Sequence, residues 1–200
     1  MPAVRTIRAL ERLLDRRNEH PERIAQIDHE IHARFEQCYA VLVLDMCGFS
    51  RLTVRYGIIH FLAMIRRMNL IVRPVIEAAR GRVVKTEADN IFAVFPDVPQ
   101  ALNAARRIDL ALVRHNAAVP ADWDLHVGIG IGYGNLLMVG RHEFFGSELN
   151  LASKLGEDVA APGEVLVTEA AHARAGKWRG HLRPRRVKIS GMAVKFHALA

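Results

Sequence analysis

The chain has 200 residues, of which 50% are hydrophobic and 24% charged, with a formal net charge of +7. This length and composition are typical of one globular domain with a substantial core. No apolar stretch approaches the ~18 residues that a membrane-spanning helix needs, and the N-terminus lacks a signal-peptide core, so we expect a cytoplasmic protein without a membrane span.

The positive charge admits polyanionic partners such as nucleic acids, acidic membranes or nucleotide phosphates. The sequence has no zinc-finger spacing, RNA-binding strand pattern or helix-turn-helix, so we expect no specific nucleic-acid partner. The two cysteines, Cys38 and Cys47, fit neither a metal-ligand spacing nor a disulfide framework. We expect both to be free thiols.

Residues 1–36 are predicted to form a charged, helical N-terminal arm, which precedes the main domain at 37–200. Apolar residues recur in the arm at spacings of three and four, and Pro21 marks a break between two helices. Such an arm could pack on its own domain or on a partner subunit. His29 and His32 share a helical face, but solvated or capping histidines are far commoner than a metal site.

The main domain alternates strand and helix patterns. A strand at about 39–44 precedes a strongly apolar helical region, which we expect to kink or restart at Pro74 and to end at Gly81. Residues 82–95 are β-branched and aromatic around a short polar turn, which predicts a hairpin. The elements predicted next are a helix at 98–116, a strand at 125–132, a helix at 149–159, a strand at 164–167 and a strand pair at 186–189 and 194–198.

The order strand, helix, strand, strand, helix, strand is that of a ferredoxin-like fold. We therefore predict an α+β fold with a βαββαβ core, an antiparallel sheet with helices on one face, and an extension by a C-terminal helix and strands. The G-x-G-x-G run at 128–134 does not open a helix of a βαβ unit, so it predicts close backbone packing rather than a dinucleotide site.

Asp45 stands at the end of the first predicted strand, directly before a glycine-containing turn. Burying an acid there is costly unless it meets a cation or a donor, which favours a metal ligand. Asp45 could equally cap the helix that begins near Ser50. The turn's backbone N–H groups, together with a helix start, predict a phosphate site at these residues: Cys47, Gly48, Phe49 and Ser50.

Asp89 lies in the turn of the predicted hairpin. If the first strand and the hairpin are central neighbours, Asp45 and Asp89 meet at one edge of the sheet. Two carboxylates beside a phosphate-binding turn suit two divalent cations, Mg²⁺ or Mn²⁺, and outline two-metal phosphoryl chemistry.

Three segments together resemble the signatures of class III nucleotidyl cyclases. They are Leu-Asp-Met-Cys-Gly-Phe-Ser at 44–50, Val-Lys-Thr-Glu-Ala-Asp at 84–89 and Phe-Gly-Ser-Glu-Leu-Asn-Leu-Ala-Ser-Lys at 145–154, and they occur in family order. The resemblance implies a homodimer with shared active sites, in which Asp45 and Asp89 of one subunit hold the two metal ions. It implies a lyase that converts a nucleoside triphosphate to a cyclic nucleotide and pyrophosphate.

The same resemblance implies that the partner subunit supplies the remaining groups. Lys85 matches the family's purine-selecting lysine, which in adenylyl cyclases accepts ATP, and its acidic companion falls at Glu143. Asn150 matches the residue that orients the ribose. Lys188 falls at the late lysine that contacts the triphosphate, and Lys154 at the position that stabilises the transferring α-phosphate.

Some positions depart from the family pattern. Lys154 stands where the family uses Arg, which keeps the charge but loses the planar set of donors. Ala88 replaces the Gly that usually precedes the second metal ligand, and Cys47 is unusual in the phosphate turn. No departure removes a metal ligand, so we expect activity, at a reduced rate.

Three functions are compatible with these residues. The leading hypothesis is ATP cyclisation to 3′,5′-cyclic AMP. A second enzyme hypothesis is a pyrimidine nucleotide cyclase that makes cyclic CMP or cyclic UMP as an antiphage signal, for which the departures at Glu143 and Lys154 leave room. The third is a catalytically weak cyclase-fold module that binds nucleotide or a partner. A diguanylate-type polymerase is disfavoured because its Gly-Gly-Asp/Glu-Glu/Asp-Phe hairpin is missing.

Overall fold

The computed structural model describes residues 5–189 and 192–200, and in this part of the chain it contains seven α-helices and eight strands. None of the helices described combines the length and the apolar character that crossing a membrane requires. The helices are α1 Ile7–Glu19, α2 Ile24–Phe35, α3 Phe49–Tyr56, α4 Ile58–Ala78, α5 Val98–Asn116, α6 Ser147–Ser153 and α7 Glu169–Ala173. The strands are β1 Glu36–Met46, β2 Arg82–Glu87, β3 Asn90–Phe95, β4 Val127–Val139, β5 Glu143–Phe145, β6 Val165–Thr168, β7 Leu182–Ile189 and β8 Met192–Leu199.

The strands form one sheet in the order β2-β3-β1-β4-β6-β8-β7, and the short β5 pairs with β4. Neighbours run antiparallel except β4 and β6, which are parallel. The α+β fold and the antiparallel βαββαβ core predicted from the sequence are therefore confirmed. β1 lies at the centre of that core, between β3 and β4.

Side chains alternate across β1, so each face of the sheet has its own core. Leu42 and Leu44 pack with the buried faces of α4 and α5, whereas Val41 and Val43 pack with α6 and β5. The two helices of the core, α4 and α5, lie on one face as predicted. α6 of the C-terminal extension lies on the other face, where glycines along β4 leave room for it.

The N-terminal arm packs on the main domain. Thr6 caps α1 by accepting a hydrogen bond from the Ala9 amide, and the apolar stripes of α1 and α2 meet each other and Val139 of β4. α2 ends at Phe35 and β1 follows without a linker. The boundary between arm and domain near residue 36 remains a prediction.

Several element boundaries differ from those predicted. α4 continues through Pro74, because its buried face packs against the sheet on both sides of the proline. The left-handed residue after α4 is Arg80, with φ of +61°, and Gly81 is needed because a Cβ there would lie 2.3 Å from the Phe95 ring. The short elements β5 and α7 were not predicted.

Candidate active site

Asp45 and Asp89 come together at one edge of the sheet. β1 delivers Asp45 next to Gly128 of β4, and the β2–β3 turn that carries Asp89 lies beside the same end of β1. The turn places Ala88 at φ of +48°, a left-handed conformation that glycine would adopt more easily. The predicted juxtaposition of these two carboxylates is thus present in the fold.

The carboxyl groups around this edge repel one another. Burial, followed by the charges of Asp89, Glu157 and Asp158, raises the pKa of Asp45 to about 7. Burial also raises the pKa of Asp89 above its usual range. Among the residues that the structure describes, no cation contributes to either shift. The site therefore has excess negative charge, which a bound cation would relieve.

Asn90, directly after Asp89, holds the Asp45 carboxylate in place. With its amide nitrogen toward β1, the orientation that satisfies both groups, Asn90 donates to Asp45 Oδ1 at 2.9 Å and to Leu44 O at 3.2 Å. Sequence analysis missed this residue, although a polar amide beside a turn aspartate is a visible signal.

In the turn after β1, only some of the backbone amides predicted to bind phosphate are free to do so. The Cys47 amide donates to His126 O at 2.8 Å, which continues the pairing of β1 with the chain before β4. It is therefore engaged, and the prediction that it binds phosphate is not supported. Gly48, the N-cap residue of α3, adopts φ of +91°, and the backbone amides at 48–50 at this helix start have no partner within the helix. The side chains of Phe49 and Ser50 lie outside the part of the chain described.

Lys85 and Glu143 form the second predicted pair. Lys85 Nζ lies 3.5 Å from Glu143 Oε2 and 2.7 Å from Glu87 Oε1, and it sits over the Phe92 ring. These acidic partners outweigh burial and raise the Lys85 pKa, so the side chain is charged. β5, which sequence analysis missed, brings Glu143 to this position.

α6 lies directly on the glycines of β4. A Cβ at Gly130 would lie 1.9 Å from Ala152 O, and one at Gly132 would lie 2.6 Å from Glu148 O. Glu148 anchors the helix, because its Oε2 accepts hydrogen bonds from Tyr133 N at 3.1 Å and from Thr168 Oγ1 at 2.7 Å. The predicted close backbone packing of the glycine run is present.

Asn150 and Lys154 are both exposed, on and directly after α6. The chain continues from α6 as a π-helical segment, Lys154–Val159, and such segments are frequent at functional sites. Lys154 Nζ pairs with Asp158 Oδ2 at 2.7 Å. Lys188 is exposed on β7, opposite Ala193 of β8, and near the end of that hairpin.

The described residues hold no group of three or more His, Cys, Asp or Glu side chains arranged to bind a metal ion. Asp45 and Asp89 supply hard oxygen donors that fit Mg²⁺ or Mn²⁺, which usually take one or two carboxylates and complete their shell with water and substrate phosphates. The residues present therefore fit a metal–nucleotide complex better than a metal bound by protein alone.

The comparisons with known proteins agree with this geometry. Residues 31–195 match the family model of the adenylate and guanylate cyclase catalytic domain. The chain belongs to this family. Over 133 residues it is 27% identical to "Putative adenylate cyclase 3" of Rhizobium meliloti (strain 1021). The aligned segment covers 66% of this chain but only 22% of that relative's length.

Solved cyclase structures share the fold. The guanylyl cyclase Cya2 superposes with a TM-score of 0.72 at 19% identity, covering 82% of this chain and 92% of Cya2. An adenylate/guanylate cyclase/hydrolase from Silicibacter pomeroyi superposes with a TM-score of 0.66 at 25% identity, covering 82% and 97% of the two chains. The class III cyclase resemblance found in the sequence is thus confirmed.

Proposed function

We propose that this cyclase domain converts ATP to 3′,5′-cyclic AMP and pyrophosphate with two divalent cations at the interface of a homodimer. The observation that carries the proposal is the pair Asp45 and Asp89, two half-buried carboxyl groups whose pKa values are raised with no contribution from a cation among the described residues. Divalent ions bound there would lower the pKa of the ribose 3′-hydroxyl and offset charge on the leaving pyrophosphate.

The reaction exchanges one bond to the α-phosphorus for another. The ribose 3′-oxygen forms a bond to the α-phosphorus, the bond from this atom to the pyrophosphate oxygen breaks, and the hydroxyl proton leaves to solvent. In this chain, Asn150 would orient the ribose, and Lys154 would offset charge on the α-phosphate. The amides at Gly48, Phe49 and Ser50, with Lys188, would hold the triphosphate.

Lys85 and Glu143 support adenine as the base. An ammonium group donates hydrogen bonds and a carboxylate accepts them, so the pair can meet adenine's ring nitrogen and its exocyclic amino group together. Their separation of 3.5 Å places donor and acceptor side by side, as these two neighbouring atoms of the base require. The relative named as an adenylate cyclase is consistent with this choice.

A shared site is supported by exposed apolar side chains on the two helices that follow the phosphate turn in the chain. Val54, Ile59 and Leu62 on α3 and α4 are 89%, 81% and 56% exposed. Contiguous exposed apolar side chains are characteristic of surfaces that a partner covers. Burying them in a second copy would close the site beside Asp45 and let that copy supply Asn150 and Lys154.

The proposal is tested by incubating the protein with ATP, GTP, CTP or UTP and Mn²⁺ and identifying products by mass. We expect cyclic AMP and pyrophosphate from ATP, and no product from the Asp45→Ala variant. Asp15→Ala, which removes a carboxylate from α1, is the charge-matched control and should keep its activity. Cyclic GMP as the main product would contradict the choice of ATP.

The two other hypotheses predict different results in the same panel. A pyrimidine cyclase would give cyclic CMP or cyclic UMP and no cyclic AMP. The Lys154–Asp158 ion pair favours the third hypothesis, because Asp158 already pairs with the ammonium group that would stabilise charge in the transition state. A weak, nucleotide-binding module would give no cyclic product from any triphosphate while still binding one of them.

A further inference from the structure

A cleft of about 490 Å³ lies at the base of the β7–β8 hairpin. β8 is separated from β1, which carries Asp45, by β4 and β6. None of the residues lining the cleft is among those assigned to the candidate active site, although Lys188 of β7 lies two positions from Arg186. Its lining consists of Glu169, Pro184, Arg185, Arg186, Lys195 and His197.

Two cations face each other in this cleft. Arg186 of β7 lies directly opposite Lys195 of β8, and directly opposed residues of an antiparallel pair project from the same face. In the part of the chain described, neither side chain forms an ion pair, whereas the nearby Arg185 pairs with Glu164. Like charges in this arrangement destabilise the sheet. A bound anion would turn this repulsion into attraction.

His197 supplies a buried polar group to the same cleft. It is 7% exposed, and its Nδ1 makes no hydrogen bond to any described residue, although Glu169 Oε1 is 3.3 Å away. Its ring stacks on that of His172 at a centroid distance of 3.6 Å. A buried nitrogen without a hydrogen bond is costly unless a ligand satisfies it.

Among the described residues that line the cleft, cationic side chains outnumber carboxylates, which favours an anionic ligand. Arg186 and Lys195 line the cleft, and Glu169 is the one acidic residue among the described residues that line it. Burial, together with the charges of His197 and Arg179, lowers the pKa of His172, whose ring stacks on His197. Guanidinium groups bind phosphate oxygens through two parallel hydrogen bonds.

We propose that this cleft binds the phosphate group of a small phosphorylated molecule, held by Arg186 and Lys195 with the His197 imidazole as the buried donor. The cleft volume leaves room for an organic part beside Pro184, so the ligand class includes phosphate esters as well as free phosphate. The site does not depend on the cyclase reaction.

The test is an NMR titration of the wild-type chain, without divalent cations, following the ring C–H signals of His172 and His197. The probes are inorganic phosphate and ribose 5-phosphate, with sodium chloride at matched ionic strength as the reference. We expect saturable shifts of both histidines with phosphate and none with chloride. Tighter binding of ribose 5-phosphate would identify an ester as the preferred ligand, and equal binding would identify phosphate itself.

Matched variants locate the binding. Arg186→Ala and Lys195→Ala should each weaken it at least ~10-fold, whereas Arg12→Ala, which removes an equal charge from α1, should not. Lys188→Ala should also retain binding, which separates this cleft from the active site. Linear shifts equal to those in chloride, or unchanged affinity in both cleft variants, would overturn the proposal. The wild-type signals decide the question even if a variant does not fold.

Discussion

Asp45 has the burial and the charged surroundings expected of the proposed metal ligand. Its strand is buried, so the carboxylate loses hydration, and Asp89, Glu157 and Asp158 add repulsion. Asn90 fixes the group by hydrogen bonding but brings no charge. The result is a carboxyl group that is half protonated near neutral pH and ready to exchange its proton for a cation.

Metal affinity should therefore depend on pH. Because the pKa of Asp45 is about 7, a proton must leave for the cation to bind below that pH, and affinity rises as pH increases through it. We expect Mn²⁺ to bind about 10-fold more weakly at pH 6 than at pH 8. Electron paramagnetic resonance of free Mn²⁺ measures this. The Asp45→Asn variant should bind weakly at both pH values, and an equal pH slope in that variant would assign the proton to another group.

Lys154 stands at a position where the sequence resemblance implies an arginine. Lysine presents a point charge, and here its ammonium group is also held by Asp158 at 2.7 Å. Replacing it with arginine should add planar donors toward the α-phosphate. We expect Lys154→Arg to raise kcat roughly 10- to 100-fold, a gain of about 1–3 kcal/mol in transition-state binding.

Steady-state kinetics with Mn²⁺ and ATP test this change. The Lys154→Gln variant should be slower than the wild-type protein, because it loses the charge entirely. An arginine variant with unchanged kcat and a lower KM would show that residue 154 binds substrate and transition state equally.

At the scale of the elements, the placement of α6 depends on glycines of β4, which have no side chain to separate the helix from the sheet. Gly128, Gly130 and Gly132 occupy one face of β4, and each would place a Cβ within 2.6 Å of a backbone oxygen in the segment above it. This contact positions the segment that carries Asn150 and Lys154. The glycines thus let the backbone of this segment lie directly on the sheet, beside the side-chain hydrogen bonds of Glu148.

Gly130→Ala should break this contact. Its Cβ would lie 1.9 Å from Ala152 O, which is backbone and cannot rotate away. We expect a loss of about 2–4 kcal/mol in the free energy of unfolding, measured by urea denaturation. Gly180→Ala is the matched control, because no atom lies within 4 Å of its added Cβ, and it should change stability by less than about 0.5 kcal/mol.

The same elements show what the sequence could predict. The βαββαβ order follows from periodicity, and the meeting of Asp45 with Asp89 follows from that order. The sequence did not predict β5, because three residues give no periodicity, and the Lys85–Glu143 contact depends on it. It also could not show that the Cys47 amide pairs with His126, since that bond belongs to the register of β4. These two contacts depend on which distant strands pair and in which register, and a local sequence pattern does not carry that information.

At the scale of the whole molecule, the proposed site is divided between two subunits. Lys85 and Asp89 are close in sequence, yet they would serve different sites in the dimer. The exposed apolar side chains of α3 and α4, including Val54 and Ile59, provide a surface that a second copy can cover. A chain organised in this way should have little activity as a monomer, and its activity per chain should fall on dilution.

Mixing two inactive variants tests the shared site directly. Asp45→Ala removes a metal ligand and Asn150→Ala removes the group that orients the ribose, so each homodimer is inactive. In a mixed dimer one site carries both substitutions and the other carries neither. With random pairing half of the dimers are mixed, and we expect roughly a quarter of wild-type activity after the two proteins are combined. If each site lay within one chain, every site in the mixture would carry one substitution, and no activity would return at any mixing ratio.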